Sequence, residues 1–253
     1  MLKLEMLSWI RSKKYLIILF IFIFSGFSSP LIAYYSNDII SSFSGNESTK
    51  IIAMDPKWQD LISSYFKNAS QLVMFICAYI IADKCRMGKD KSIQLYYKTR
   101  AKNSSKIFIP KYFTSIFILA ISGIIGGACV LYVTWVFFDS DIDFKKVIVA
   151  LIVQLIGVLI FSTISATISF WINSAFISAL IVEATILLAI FFDSIEKFKD
   201  WSPTSLLKPN DILFNKINYE LLLQHVGLGI LISLVCIVTV YFKPLKVKTK
   251  RKE

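Results

Sequence analysis

The chain has 253 residues, of which 56% are apolar and 18% charged, with a mean hydropathy of +0.65. Those values exclude a disordered polymer, a collagen-like fibre and a disulfide-rich secreted scaffold, and they are out of reach of a water-soluble fold with a charged exterior. The net charge of +11 would point to nucleic acid in a soluble chain, but here the excess has a simpler source, since cytoplasmic loops of membrane proteins collect Lys and Arg.

The elements follow from the apolar periodicity. Residues 2–13 place Leu2, Met6, Trp9 and Ile10 at helical spacing, with most of the charges elsewhere, which predicts a helix lying in the inner interface; the plainer reading is a basic flank. Six apolar stretches then follow, near 15–35, 69–83, 112–138, 146–170, 175–193 and 221–242. Most have the length that crosses a bilayer, about 20 residues. The first exceeds a signal-peptide core and has no small-residue cleavage site, so it is expected to remain in the mature protein. The second is the weakest. Its continuous apolar run covers only Leu72 to Ala82, so its helix must start upstream and carry Lys67, Asn68, Ser70 and Gln71 in its outer half, facing water or protein. The expected fold is an all-α polytopic membrane protein, one transmembrane domain over residues 1–253.

Alternate loops differ sharply in charge. The N-terminal tail, the segment 83–111 and the C-terminal tail hold nineteen Lys and Arg with four carboxylates, against nine bases and twelve carboxylates in the other loops. The positive-inside rule therefore places both termini in the cytoplasm of a multi-pass plasma-membrane protein. The link between the fourth and fifth spans, 169–174, carries no charge and must be very short.

Common catalytic devices are missing. The Gly88-Lys89 pair lacks the glycine and hydroxyl residue of a phosphate-cradling loop, a single histidine (His225) rules out a two-His metal motif, and the four cysteines give no disulfide framework. No catalytic residue and no metal site is expected. His225, at the start of the last span, reads as an interfacial hydrogen bonder.

Four features carry functional content. Glu183 is the one carboxylate deep in a strong span; it is either a cavity-facing group or a residue that holds helices or subunits together, with Gln154 of the fourth span as a candidate partner. Gly123 and Gly127 form a small-xxx-small pair that lets another helix approach. In the cytoplasmic loop 84–111, Ile93, Tyr96 and Tyr97 fall on one helical face beside Thr99 and Arg100, a surface suited to docking a protein. Pro110 is expected near the first turn of the third span, and Pro203 near a helix start in the outer loop 194–220.

The order of these elements, with Asp83 closing the second span and the run Tyr97-Lys-Thr-Arg100 followed by Ser105-Lys-Ile-Phe-Ile-Pro-Lys-Tyr112, resembles the permease subunits of type-2 ABC exporters over nearly the whole chain. Ala101 stands where members typically carry proline, and Ser105-Lys106 replaces Ser-Arg. Within that family the chain is similar to firmicute exporters of small amphipathic peptides, modulin exporters and lantibiotic self-protection permeases among them. The resemblance implies that two permease copies, identical or paralogous, span the bilayer while two separate ATPase subunits, which hold ATP and Mg, dock from the cytoplasm. The chain itself would then bind no cofactor and hydrolyse nothing. It further implies that Ile93, Tyr96, Tyr97, Thr99 and Arg100 form a coupling helix, that Trp171 and Asn173 add a further ATPase contact, and that Glu183 and Gln154 lie near the pathway or the dimer seam. An ATP-independent protein that sequesters peptide in the membrane, and an intramembrane enzyme built on Glu183, are the rival expectations.

Overall fold

The computed structural model describes residues 2–43, 56–88, 90–101, 103–139, 142–192, 201–214 and 219–245, excluding the side chains of 40–43, 100 and 190. The described residues form helices and no strand: α1 (Leu2–Ser12), α2 (Lys14–Tyr34), α3 (Ser36–Phe43), α4 (Trp58–Asn68), α5 (Met74–Cys85), α6 (Lys91–Arg100), α7 (Ser104–Phe138), α8 (Phe144–Ile172), α9 (Ala175–Phe192), α10 (Asn210–Leu213) and α11 (Tyr219–Tyr241). A π segment, Ala69–Val73, joins α4 to α5, and a 3-10 turn, Pro203–Leu207, precedes α10. Among the described residues five helices are long and apolar enough to cross a bilayer: α2, the continuous α4–α5 helix, α7, α8 and α11. The protein is an all-α, membrane-embedded chain.

The N-terminal amphipathic stretch is a separate helix, broken from α2 where Lys13 takes a left-handed conformation (φ 53°). The helix is turned against its own amphipathicity. Trp9 is buried in the body and Ser8 faces Lys84, whereas Leu2, Leu4, Met6, Leu7 and Ile10 are exposed.

The second long helix starts upstream of its apolar stretch, as expected, and reaches out as far as Trp58, because its outer turns are amphipathic and invisible to a hydropathy sum. Its buried positions come in pairs every four residues: Leu61 and Ile62, Tyr65 and Phe66, Ala69 and Ser70, Val73 and Met74, Cys77 and Ala78. An ideal α-helix turns 100° per residue, so that repeat drifts by about 160° from the first pair to the last. The π segment lies within this run and accommodates one extra residue, which removes about 100° of the drift and keeps both halves facing inward. As expected, Ser70 is buried in protein, and Asn68 Nδ2 donates to Ser29 Oγ of α2 at 2.8 Å.

The third long helix begins earlier than expected. Asn103 precedes its first residue, Ser104, whose hydroxyl donates to the Lys243 carbonyl at 2.6 Å, so Pro110 lies inside α7 instead of in its first turn. The pyrrolidine removes one main-chain donor there, and Thr114 Oγ1 donates to the Pro110 carbonyl at 2.9 Å.

α8 is the hub of the bundle. Ser165 Oγ donates to the Ala78 carbonyl (3.0 Å) and Ser169 Oγ to the Ala82 carbonyl (2.5 Å), two staples one turn apart on both helices, so α5 and α8 run in the same direction. Gly157 of α8 takes the backbone of the 3-10 turn, since a β-carbon there would meet Leu206 main-chain atoms at 3.0–3.1 Å. The small-xxx-small pair finds its partner within the same chain: Gly123 lies against Leu155 and Phe22, and Gly127 against Leu151. Beside them Gly26 of α2 and Gly126 of α7 cross so closely that a β-carbon on Gly26 would meet the Gly126 carbonyl at 2.7 Å.

One end of the bundle gathers the basic residues into a node. Lys14 at the start of α2 and Arg86 after α5 both pair with the buried Asp83 carboxylate. The Lys111 ammonium donates to the Arg86 carbonyl (3.0 Å), and that of Lys243, just past α11, donates to the Phe170 and Trp171 carbonyls at the end of α8. Five long helices thus have one end each in the same place.

Candidate functional site

The face presented at this node is built on α6. Asp90 precedes its first turn in an extended conformation, and Ala101 leaves it extended, so the helix is a short bar between two sharp corners. At its entry, Gln94 Nε2 donates to the Gly88 carbonyl at 3.2 Å, and Ile93 packs so near Gly88 that a β-carbon there would meet it at 2.8 Å. Across the bundle, Asn173 closes α8 in the left-handed conformation (φ 61°), and only Ser174 separates it from α9, the very short link that the uncharged segment implied.

Asn173 ties this link to α6. Its Nδ2 donates to the Gly88 carbonyl (3.0 Å) and its Oδ1 accepts from the Gly88 N–H (3.4 Å), a two-way bond that occupies the amide. The residue therefore braces the corner before α6 and does not project outward. Trp171, by contrast, is exposed, with the Lys243 ammonium 5.9 Å from its ring. Ile93, Leu95 and Tyr96 are likewise exposed on α6. Thr99 caps its own helix, donating to the Leu95 and Tyr96 carbonyls at 3.0 Å. The side chain of Arg100 lies outside the described residues.

Tyr97 points back into the body. Its ring lies under the Lys111 ammonium at 4.9 Å, a cation–π contact that links α6 to α7. Burial, with the negative charge of Glu5 from α1, holds its phenol above the ordinary range. The sequence-predicted patch is thus split into an outward set (Ile93, Tyr96 and Trp171) and an inward set (Tyr97 and Asn173) that locks α6 to the transmembrane helices.

Lys14, Lys84 and Lys243 read in the sequence only as topogenic charge, and Lys111 as part of the run that carries the resemblance. Each has a defined contact in the fold: Lys84 donates to the Ser8 carbonyl at 3.0 Å and stands over Trp9 at 5.0 Å, fastening α1 to α5. The signal that marks this node beforehand is the four-residue spacing of Ser165, Ser169 and Asn173, all bound to main-chain groups of the α5 arm.

Glu183 stands on the edge of the buried stripe of α9 formed by Ala175, Ala179, Val182 and Ile186. Its Oε2 is buried with no hydrogen-bond partner among the described residues, and the positive charge of Lys208, after the 3-10 turn, acts on it. Gln154 is buried in α8, its Nε2 likewise without a partner. The two are not at one level. At 1.5 Å per residue, Gln154 is about 27 Å from the end of α8 and Glu183 about 12 Å from the start of α9. Glu183 instead shares a depth with Ser162, whose buried hydroxyl also has no partner among the described residues. His225 Nδ1 bonds Ser205 Oγ at 2.8 Å, tying α11 to the 3-10 turn, whose first residue is Pro203.

No family model, no curated protein and no solved structure matches the chain.

Proposed function

We propose that this chain is the permease subunit of an ATP-driven exporter of the type-2 ABC class, moving amphipathic peptides out of the cell across the plasma membrane. The observation that carries the reading is α6: a short helix, rigidly braced by Asn173 and Tyr97, that presents Ile93, Leu95 and Tyr96 outward beside Trp171 at the most basic end of the bundle. A braced apolar and aromatic face of this kind fits a protein partner that must push on the helices behind it. That partner is a cytoplasmic ATPase, two per complex, which brings its own ATP and Mg.

Topology supports six crossings. α8 and α11 end in the same node, so the chain leaving α8 must travel to the opposite end before α11 brings it back. α9 is the described helix placed to make that passage, and its 18 residues span about 27 Å against a hydrocarbon core of about 30 Å. With the basic node inside, both termini are cytoplasmic. α1 then lies in the inner interface with its exposed leucines in lipid. Two such chains, identical or paralogous, form the pathway. Apolar spans with few free polar groups suit an amphipathic substrate entering from the inner leaflet.

The test is purification of the tagged chain from its native membrane in mild detergent, with stoichiometric mass spectrometry. An ATPase subunit at one per permease is expected. Tyr96→Ala combined with Arg100→Ala then abolishes peptide-stimulated hydrolysis while leaving the elution profile of the permease unchanged. The absence of any ATPase, under conditions that preserve a known permease–ATPase pair, sinks the proposal.

A further inference from the structure

Three backbone features, unrelated in sequence, fall at one depth of the bundle. Pro30 has no N–H, so the Gly26 carbonyl of α2 lacks its ordinary helical donor. Gly26 is twelve residues beyond the Lys14–Asp83 pair, about 18 Å at helical rise. The π segment Ala69–Val73 lies about 15–21 Å from the same pair along the neighbouring helix. At that level too, Gly26 crosses Gly126 of α7 with no side chain between the backbones.

The segments on either side of this level are fastened differently. Below it, Lys14 and Arg86 clamp Asp83, and Ser165 and Ser169 staple α5 to α8. Around and beyond it, α4 is joined to α2 by the Asn68–Ser29 bond (2.8 Å), by Ser64 Oγ donating to the Ser29 carbonyl (3.2 Å), and by the packing of its inner face, while outer α2 meets α7 through the stacked rings of Tyr34 and Phe137 (4.1 Å), a contact without hydrogen bonds along which the segment can slide. Equal numbers of residues separate Lys14 from Ser29 and Asn68 from Asp83, so the two helices are pinned as a ladder whose weakest backbone lies just inside its outer rung.

We propose that this level is a hinge: the outer parts of α2 and α4 swing as one body about the Gly26–Gly126 crossing, while the inner parts stay fixed to α7 and α8. At that point α2 lacks one helical bond and the second helix has its bonds reaching one residue further than an α-helix, so neither is a regular α-ladder where it bends. The Asn68–Ser29 clasp makes the two outer segments move together, and the close glycine crossing, with Phe22 and Cys129 packed beside it, supplies the fulcrum. Domain-scale motions of this type concentrate their dihedral change in a few such positions. The inference stands apart from the exporter reading, because it concerns the bundle alone.

Spin-label distance distributions test it, with the full chain in phosphatidylcholine–phosphatidylglycerol nanodiscs and Cys129 and Cys236 replaced by alanine; Cys77 and Cys85 are buried from the reagent. One label pair spans the outer end (Lys57→Cys and Lys145→Cys), and another the inner end (Leu16→Cys and Ile172→Cys). The outer pair is expected to give the broader distribution, and Pro30→Ala, which restores the missing donor, to narrow it to the width of the inner pair. Should Pro30→Ala fail to fold, Asn68→Ala supplies the opposite arm: cutting the clasp widens the outer distribution further. An outer pair as narrow as the inner one, or a width that neither variant changes, overturns the hinge and leaves the π segment as a device of phase alone.

Discussion

α8 and α11 are both long apolar helices, yet one is the hub of the bundle and the other lies along its side. About half of α8 is buried, and it carries Gln154, Ser162, Thr163, Ser165, Thr167 and Ser169 among its buried residues; α11 buries only Gly229 and Val240. The difference is not in apolarity, because lipid accepts apolar side chains as readily as protein does. It is in the small and hydroxyl-bearing residues. A helix facing lipid on most sides has nowhere to satisfy a hydroxyl except its own backbone, whereas α8 spends two of its hydroxyls on carbonyls of α5. In this chain, serine and threonine content tells the hub from the side helix where hydropathy cannot: five hydroxyl residues in α8 against two in α11.

The sharpest way to break that contrast is to give α8 the surface of α11. Ser165→Leu removes the bond to the Ala78 carbonyl and forces a large side chain into a fully buried site, so a loss of about 1–3 kcal/mol from overpacking is expected, with the bond on top of it. Ser165→Ala separates the terms, because it costs only the bond, about 0.6 kcal/mol by comparison with other membrane helices. On α11, Leu234→Ser exposes its change to lipid and leaves the packing within the chain alone. Thermal unfolding in detergent, followed by a thiol-reactive dye that reaches Cys77 and Cys85 only when the core opens, ranks the three. Equal midpoints for Ser165→Leu and Leu234→Ser would remove the distinction between hub and side helix.

Two glycines within α11 sharpen it at closer range. A β-carbon at Gly229 would meet Ile160 Cδ1 at 2.4 Å, whereas at Gly227 it would meet nothing within 4 Å. Gly229→Val is therefore expected to cost about 1–3 kcal/mol as α11 is pushed off α8, while Gly227→Ala gains up to about 1 kcal/mol from helix propensity. Opposite shifts of the unfolding midpoint from residues two positions apart would fix which side of α11 is protein. Shifts of the same sign would mean that α11 is not seated on α8.

The contrast also sorts what was legible beforehand. The long apolar runs announced α2, α7, α8 and α11, and the uncharged segment announced the tight link at Asn173, because lipid imposes length and composition directly. That the second helix starts upstream of its apolar run was legible, but how far, to Trp58, was hidden, since its outer turns bury only one face against protein. A four-residue repeat of apolar or small pairs was present in the sequence throughout, and its mismatch with 3.6 residues per turn is the physical signature of the π segment. The candidate docking face was legible as a pattern, but its division into outward Tyr96 and inward Tyr97 was not. That depends on Lys111, a residue of another helix, lying over one ring and not the other. The level difference between Gln154 and Glu183 was, by contrast, available from counting residues back and forth from the link.

The smallest expected effect is electrostatic, and it concerns how α11 is finally held. Lys243 follows the helix and lays its ammonium on the carbonyls of Phe170 and Trp171, 4.7 Å from the Phe170 ring. Burial, joined by the like charge of Lys98, brings the ammonium down to about 8. Because the folded value is below the ordinary one of 10.5, the unfolded chain binds more protons between the two, so folding stability from this group rises as pH climbs through about 8 toward 10.5. The ammonium is only partly shielded, and solvent screening limits the gain to about 1 kcal/mol or less. The unfolding midpoint of the wild-type chain is expected to rise relative to Lys243→Met between pH 7 and pH 9.5, the variant serving as the baseline for all other titrations. A difference that stays flat over this window would mean that the ammonium is as well solvated folded as unfolded, and that α11 is held to the node by Ser104 and packing alone.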